Sequence, residues 1–122
     1  MGRVLRAISE NGGVVMTAID STDVVAQAEQ IHESSAVITA ALGRLLTAAS
    51  IMGCGLKGAE QSVTLRLSGG GPAGNVIAVS DAWGNVRGTV SQPVVELSLN
   101  PYGKLDVGGA VGRDGTLTVI RD

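Results

Sequence analysis

The stretch "LRLSGGGPAGNVIAVSD", residues 65–81, decides the fold because it has two possible structures. Gly69, Gly71 and Gly74 have the G-x-G-x-x-G spacing of a dinucleotide-binding loop. That motif requires a strand, the glycine loop and then a helix whose N-terminus faces the phosphates. The residues after this loop, 75–81, are instead rich in β-branched side chains and favour a second strand. The sequence therefore predicts that the glycines form a corner between two strands and bind no cofactor.

Strand patterns continue on both sides of this corner. Residues 63–67 alternate between apolar and polar side chains, which is typical of a half-buried strand, and the apolar run 76–79 favours burial on both faces. Further strands are predicted at 86–90, 95–99 and 116–120, with the turn-forming segments "AWGN", "NPYG" and the hairpin-type "RDG" between them. This order predicts an antiparallel meander.

The first twenty residues predict a β-hairpin. Two runs of aliphatic and β-branched residues, 4–9 and 14–19, flank the sequence "ENGG". Its Asn11-Gly12 pair favours a hairpin turn, because both residue types tolerate a positive φ.

A first helix is predicted to follow the hairpin. In "DSTD", we expect Asp20 to be the N-cap, and Asp23 favours the helix N-terminus by its charge. Val24, Ala28 and Ile31 follow at helical spacing, so they are predicted to form one apolar stripe.

The segment "AVITAALGRLLTAASIMGCGL", residues 36–56, predicts a second and longer helix. Its length is sufficient to cross a bilayer, but Arg44 near its middle would cost about 2.5–3.5 kcal/mol on insertion. A central helix packed against the sheet is favoured, and its small residues are expected to allow close backbone approach: Ala40, Gly43, Ala48 and Gly53.

Composition narrows the class of protein. The chain has 122 residues, the length of about one domain, and 18 of them are glycine. A net charge of −2 with scattered basic residues gives no reason to expect nucleic acid as a partner, and no membrane partner is expected. The single cysteine, Cys54, excludes an intrachain disulfide framework. The charged N-terminus lacks the apolar core of a signal peptide, so we expect a cytoplasmic protein.

No catalytic, cofactor-binding or metal-binding residue is predicted. His32 is the only histidine and has no accompanying nucleophile motif. Cys54 lies among apolar residues and is predicted to be a small buried hydrophobe. Two candidate ligands on separate helices do not complete a zinc site. Asp20 and Asp23 are better explained by helix capping, so a non-enzymatic binding or assembly role is favoured.

These patterns predict one α+β domain over residues 1–122, with an antiparallel β-sheet meander packed with two central helices. Four segments in the same order carry a family resemblance: "LRAISENGGVVMTAIDSTDVVAQAEQIHESS", "AALGRLLTAASIMG", "SVTLRLSGGGPAGNVIAVSDAWGNVRGTVS" and "GKLDVGGAVGRDGTLTVIRD". The chain resembles the N-terminal domain of the heat shock protein 33 family of redox-regulated chaperonins.

The resemblance implies an ATP-independent holdase that binds unfolded client proteins under oxidative stress and forms a homodimer. In that family a C-terminal domain holds zinc through four cysteines, as C-x-C and C-x-x-C. Cys54 matches none of them, so we expect that zinc domain to be absent from this chain and no cofactor to be bound here. Gly69 to Gly71, Gly108 and Gly109 match family glycines, and we expect them to serve backbone geometry.

Two alternatives remain open at this point. The second interpretation, after the holdase, is a structural or oligomerisation module that binds no client itself. The more distant alternative is a small-molecule or nucleotide-binding enzyme that uses the glycine loop.

Overall fold

The computed structural model describes residues 3–122, which form six strands and three helices. In chain order these elements are β1 (Arg3–Ile8), β2 (Val15–Asp20), α1 (Thr22–His32), α2 (Ala36–Cys54), β3 (Ser62–Ser68), β4 (Asn75–Asp81), β5 (Val86–Val90), α3 (Val107–Val111) and β6 (Thr116–Arg121). The α+β class with its antiparallel sheets is confirmed.

The strands form two separate antiparallel sheets. β1 and β2 form the predicted hairpin, with Gly12 at φ +72° in its turn. The larger sheet has the order β5-β4-β3-β6, so β3 to β5 are the meander and the last strand returns to the opposite edge, beside β3.

The glycine corner joins β3 directly to β4, as the sequence predicted. Ser68 pairs with Asn75 at the base of the corner, and a strand follows the loop where a dinucleotide-binding loop requires a helix. Gly70 and Gly74 have φ values of +75° and +73°, which only glycine adopts without strain. The loop also contacts α3, where the backbone N–H groups of Gly71 and Ala73 donate to residues 111 and 110.

The core lies between α2 and one face of the larger sheet. Ten of the 19 residues of α2 are buried, and Ile38 and Leu42 are at most 1% exposed. α2 is long and apolar enough to cross a membrane by length and composition. In this structure it is the central helix that the sequence predicted, but it ends at Cys54, two residues before the predicted end, and Gly55 caps it.

Two of the four small residues of α2 make the expected close contacts. An added Cβ at Gly43 would lie 2.8 Å from the Val25 side chain of α1, and one at Gly53 would overlap the Ser80 side chain of β4. Ala40 is half-buried and Ala48 is exposed, so Ala48 was wrongly assigned to a packed position.

Helix α1 differs from prediction at both ends. Its N-cap is Ser21 instead of Asp20, and the Asp20 carboxylate accepts hydrogen bonds from the backbone N–H and hydroxyl of Thr22. Val24 and Ala28 are half-buried, but Ile31, the residue before the end of α1, is 68% exposed, so the predicted apolar stripe is covered only over its first part.

The predicted strand at 95–99 is wrong. Residues 91–106 form a long irregular segment that is anchored where the Ser35 hydroxyl bonds the backbone of Val95. The short helix α3 that follows was not predicted, and "RDG" connects α3 to β6 instead of joining two hairpin strands. On β4, only the face with Val76 and Ala78 is fully buried, so burial on both faces was also wrong.

Candidate functional site

The chemically reactive candidates lie apart from one another. Asp20 is at the start of α1, His32 is the last residue of α1, and Cys54 is the last residue of α2. The 19 residues of α2 span about 27 Å between its first residue and Cys54. Cys54 is half-buried beside Gly84, not fully buried as predicted. Within residues 3–122, no group of three His, Cys, Asp or Glu side chains could hold a metal ion.

Zinc does not fit the residues of this chain. A structural zinc site uses four ligands, usually Cys and His, and this sequence has one cysteine and one histidine on different helices. No chemical step of this chain is therefore assigned to zinc.

The most unusual feature of the described residues is their exposed apolar surface. Over residues 3–122, seventeen large hydrophobic side chains are exposed, and all but three belong to the β1–β2 hairpin, the segment 94–105 or strand β6. Single exposed apolar residues are normal, but contiguous groups of them mark interaction surfaces.

The hairpin exposes apolar side chains on both of its faces. Leu5 and Met16 lie on one face, at 62% and 65% exposure, and Ile8 and Val15 are opposite each other on the other face, at 67% and 57%. An isolated two-stranded hairpin is marginally stable in water, so these faces gain most from contact with another surface.

Strand β6 extends the apolar face of the large sheet beyond the part that α2 covers. Leu117 pairs with Leu67, and Val119 pairs with the fully buried Leu65, so both side chains point to the same face as the core. α2 covers that face over β3, β4 and β5. Leu117 and Val119 are 53% and 42% exposed. They form a strip of sheet core left open to solvent, which we call the β6 strip.

The irregular segment 94–105 adds a third exposed group. Leu97, Leu99 and Tyr102 are exposed, Tyr102 by 85%. The turn at its end is well defined, because the Asn100 Oδ1 accepts from the backbone N–H groups of Tyr102 and Lys104, both at 3.0 Å. Long segments without regular structure are frequently functional in compact domains.

Among the residues that the structure describes, two carboxyl groups have shifted pKa values, and both stabilise turns. Hydrogen bonds from the Thr22 hydroxyl and backbone N–H lower the pKa of Asp20. Desolvation raises the pKa of Asp81, but hydrogen bonds from the Asn85 side chain and from the Asn85 and Trp83 backbone outweigh it and lower the pKa overall. Neither shift is of the kind that prepares a general acid, since both favour the ionised form.

A family model described as Hsp33 protein matches residues 2–122. This chain belongs to the Hsp33 family. It is 47% identical over 120 residues to the 33 kDa chaperonin of Alkaliphilus metalliredigens and 45% identical over 119 residues to that of Geobacillus kaustophilus. Each alignment covers 98% of this chain, and the chain spans 41% and 40% of those relatives.

The fold agrees with a solved structure of the family. The crystal structure of the 33 kDa chaperonin of Thermotoga maritima superposes with a TM-score of 0.90 at 37% sequence identity, over 96% of this chain and 40% of that one. The resemblance stated from the sequence motifs is thereby confirmed.

Sequence patterns alone did not show which side chains form the exposed surfaces. The alternation in residues 116–120 is the same whether the inner face of the strand is buried or open. Only the position of β6 at the sheet edge, outside the reach of α2, makes Leu117 and Val119 accessible.

Proposed function

We propose that this chain is the client-binding and dimerising part of an ATP-independent holdase chaperone that prevents aggregation of unfolded proteins under oxidative stress. Residues 1–122 act as a single folded domain in the cytoplasm, without catalysis, and use their exposed apolar side chains to hold unfolded polypeptide. The relatives' name, 33 kDa chaperonin, supports the general class.

The β6 strip is the observation that carries this proposal. It places aliphatic side chains of core character at a sheet edge whose outer backbone groups pair with no other strand of the described sheet. An extended client segment gains both apolar contact and main-chain hydrogen bonds at such an edge. Because both interactions are largely independent of sequence, the surface suits clients of many kinds.

Redox regulation and dimerisation are parts of the same proposal. The single cysteine of this chain cannot form an intrachain disulfide, so we assign the redox switch and its zinc to residues outside this sequence. The two-faced hairpin is the surface best suited to contact with a second copy, and sedimentation at tens of micromolar tests this. A monomer at that concentration would contradict the homodimer.

Suppression of client aggregation tests the function. Light scattering of chemically denatured citrate synthase, diluted into buffer with and without the 122-residue chain, should show less aggregation without any added peroxide. The double variant Leu117→Ser/Val119→Ser should lose most of that effect, because it removes the exposed side chains of the β6 strip.

Ile120→Ser is the matched control. Ile120 lies on the same strand and is 51% exposed, but it pairs with Thr64 on the opposite face of the sheet. The control should retain suppression. Equal loss in both variants would refute a face-specific client surface, and absence of suppression by the unchanged chain would favour the alternative of an oligomerisation module without client binding.

A further inference from the structure

The sequence places no cluster of basic residues together, but the fold does. A cavity of about 690 Å³ lies between the middle of α2 and the segment that leads into α3. Its lining includes Arg44 of α2, Lys104 after the "NPYG" turn and Arg113 after α3. Asp106 is the one carboxylate in the lining, so the cavity has a formal charge of +2 in a chain whose net charge is −2.

The single carboxylate of the lining, that of Asp106, is hydrogen-bonded within the cavity wall. Asp106 Oδ1 accepts from the Gly109 backbone N–H at 3.0 Å and from Arg113 Nη2 at 3.1 Å. The hydrogen bond to Asp106 orients the Arg113 guanidinium. Because this group has five N–H donors, others remain for a ligand.

Among the described residues, the other two cations of the cavity have no carboxylate partner. Within residues 3–122, neither Arg44 nor Lys104 has a carboxylate oxygen within 4.0 Å. Asn100 adds a neutral donor, because its Oδ1 is occupied by the N–H groups of Tyr102 and Lys104 and its amide nitrogen is the remaining polar end. A concavity lined by several cations and few carboxylates attracts a multiply charged anion.

We propose that this cavity binds a di- or triphosphate group. Two guanidinium groups and one ammonium match several phosphate oxygens at once, which a singly charged carboxylate does not offer. The volume lies in the range of small-molecule sites. The cavity is separate from the glycine corner at 69–74, which lines no part of it, and from the β6 strip.

Titration of sodium tripolyphosphate into the 122-residue chain, followed by calorimetry and by amide chemical shifts, tests the proposal. We expect submillimolar binding at low salt that weakens as salt is added, with the largest shifts at residue 44 and residues 99–108. Arg44→Gln/Lys104→Gln should weaken binding at least tenfold.

The control variant Arg66→Gln/Arg87→Gln removes the same charge from two exposed arginines on the outer face of the sheet and should bind as the unchanged chain does. Equal weakening in both variants, or no heat at millimolar tripolyphosphate, would overturn the proposal. Circular dichroism confirms that each variant is folded.

ATP and adenosine distinguish the two sources of the phosphate group. Tighter binding of ATP than of tripolyphosphate assigns the site to a nucleotide, and equal binding assigns it to the phosphate chain alone. Binding of adenosine with the same affinity as ATP would overturn the phosphate site. Client suppression by Arg44→Gln/Lys104→Gln is expected to be unchanged, so the two proposals fail independently.

Discussion

Replacement of Gly71 by alanine tests whether the glycine corner packs tightly against α3. A Cβ at this position would lie 2.5 Å from the Ala110 carbonyl oxygen and 2.6 Å from the Gly112 backbone nitrogen. Those atoms belong to α3 and its cap, where Ala110 is fully buried. Because backbone atoms cannot turn aside as a flexible side chain does, α3 must move away from the corner.

The expected loss in the free energy of unfolding has two parts. Overpacking of a well-packed site costs about 1–3 kcal/mol. Movement of α3 also weakens two backbone hydrogen bonds, Gly71 N–H to Val111 O at 3.0 Å and Ala73 N–H to Ala110 O at 2.9 Å. Each such bond contributes about 0.5–1.5 kcal/mol. We therefore expect Gly71→Ala to lower the free energy of unfolding by about 3 kcal/mol.

Gly70→Ala is the matched control, one residue away in the same loop. Nothing lies within 4 Å of a Cβ there, but its φ of +75° is strained for alanine, which costs about 1–2 kcal/mol. The lower entropy of the unfolded alanine chain affects both variants alike, so it cancels in the comparison. The comparison therefore sets the clash with α3 at Gly71 against backbone strain alone at Gly70.

Guanidinium denaturation followed by far-UV circular dichroism measures the difference. Fluorescence is a poor probe because the only tryptophan, Trp83, is 73% exposed in the folded chain. Gly71→Ala should cost at least about 1 kcal/mol more than Gly70→Ala, which appears as a lower denaturation midpoint at an unchanged m-value. Equal costs, or a larger cost at Gly70, would refute the packing of the corner against α3.

Three further outcomes are expected. Leu42→Ala should lower the free energy of unfolding by about 2–5 kcal/mol in denaturant titrations, because Leu42 is 1% exposed. Its control, Ile31→Ala, should change that free energy by less than about 0.5 kcal/mol, because Ile31 is 68% exposed. Similar losses of stability in the two variants would contradict the assigned core. Ser50→Ala should cost about 1–3 kcal/mol, because the Ser50 hydroxyl donates to the Gly84 carbonyl at 2.7 Å; unchanged stability would mean that this bond contributes nothing. Since its folded pKa is lowered, Asp81 stabilises the fold above its ordinary pKa of 3.8, and this contribution is lost as pH falls through the lower folded value. The melting temperatures of the unchanged chain and of Asp81→Asn, measured from pH 6 to pH 2, should therefore differ at pH 6 and converge at low pH. A constant difference would contradict a stabilising role of the ionised Asp81.

Local chemistry explains what could be predicted about the fold. The Asn11-Gly12 turn, the "AWGN" turn and the glycine corner depend on residues within a few positions of one another, so their signals are present in the sequence. The same holds for the presence of α2, whose apolar composition indicates a long buried helix. These local signals also placed most of the strands.

Non-local pairing explains what could not be predicted. Residues 95–99 have a strand-like sequence, but a strand requires a partner, and Ser35 of a distant segment bonds the backbone of Val95 instead. Ile31 follows the helical stripe of the half-buried Val24 and Ala28, yet it is 68% exposed, because the burial of a helical position depends on which other segments pack against it. In each case the outcome depends on a residue far along the chain.

The two proposed sites could not be predicted from the sequence for the same reason. By itself the sequence determined an α+β chain of the Hsp33 family, because periodicity, turn residues and family motifs are properties of neighbouring residues. Only the folded chain placed β6 beyond α2, where Leu117 and Val119 are open to solvent, and gathered Arg44 and Lys104 around one cavity. Exposure and charge proximity depend on which distant segments meet, and that is decided when the sheet and helices pack.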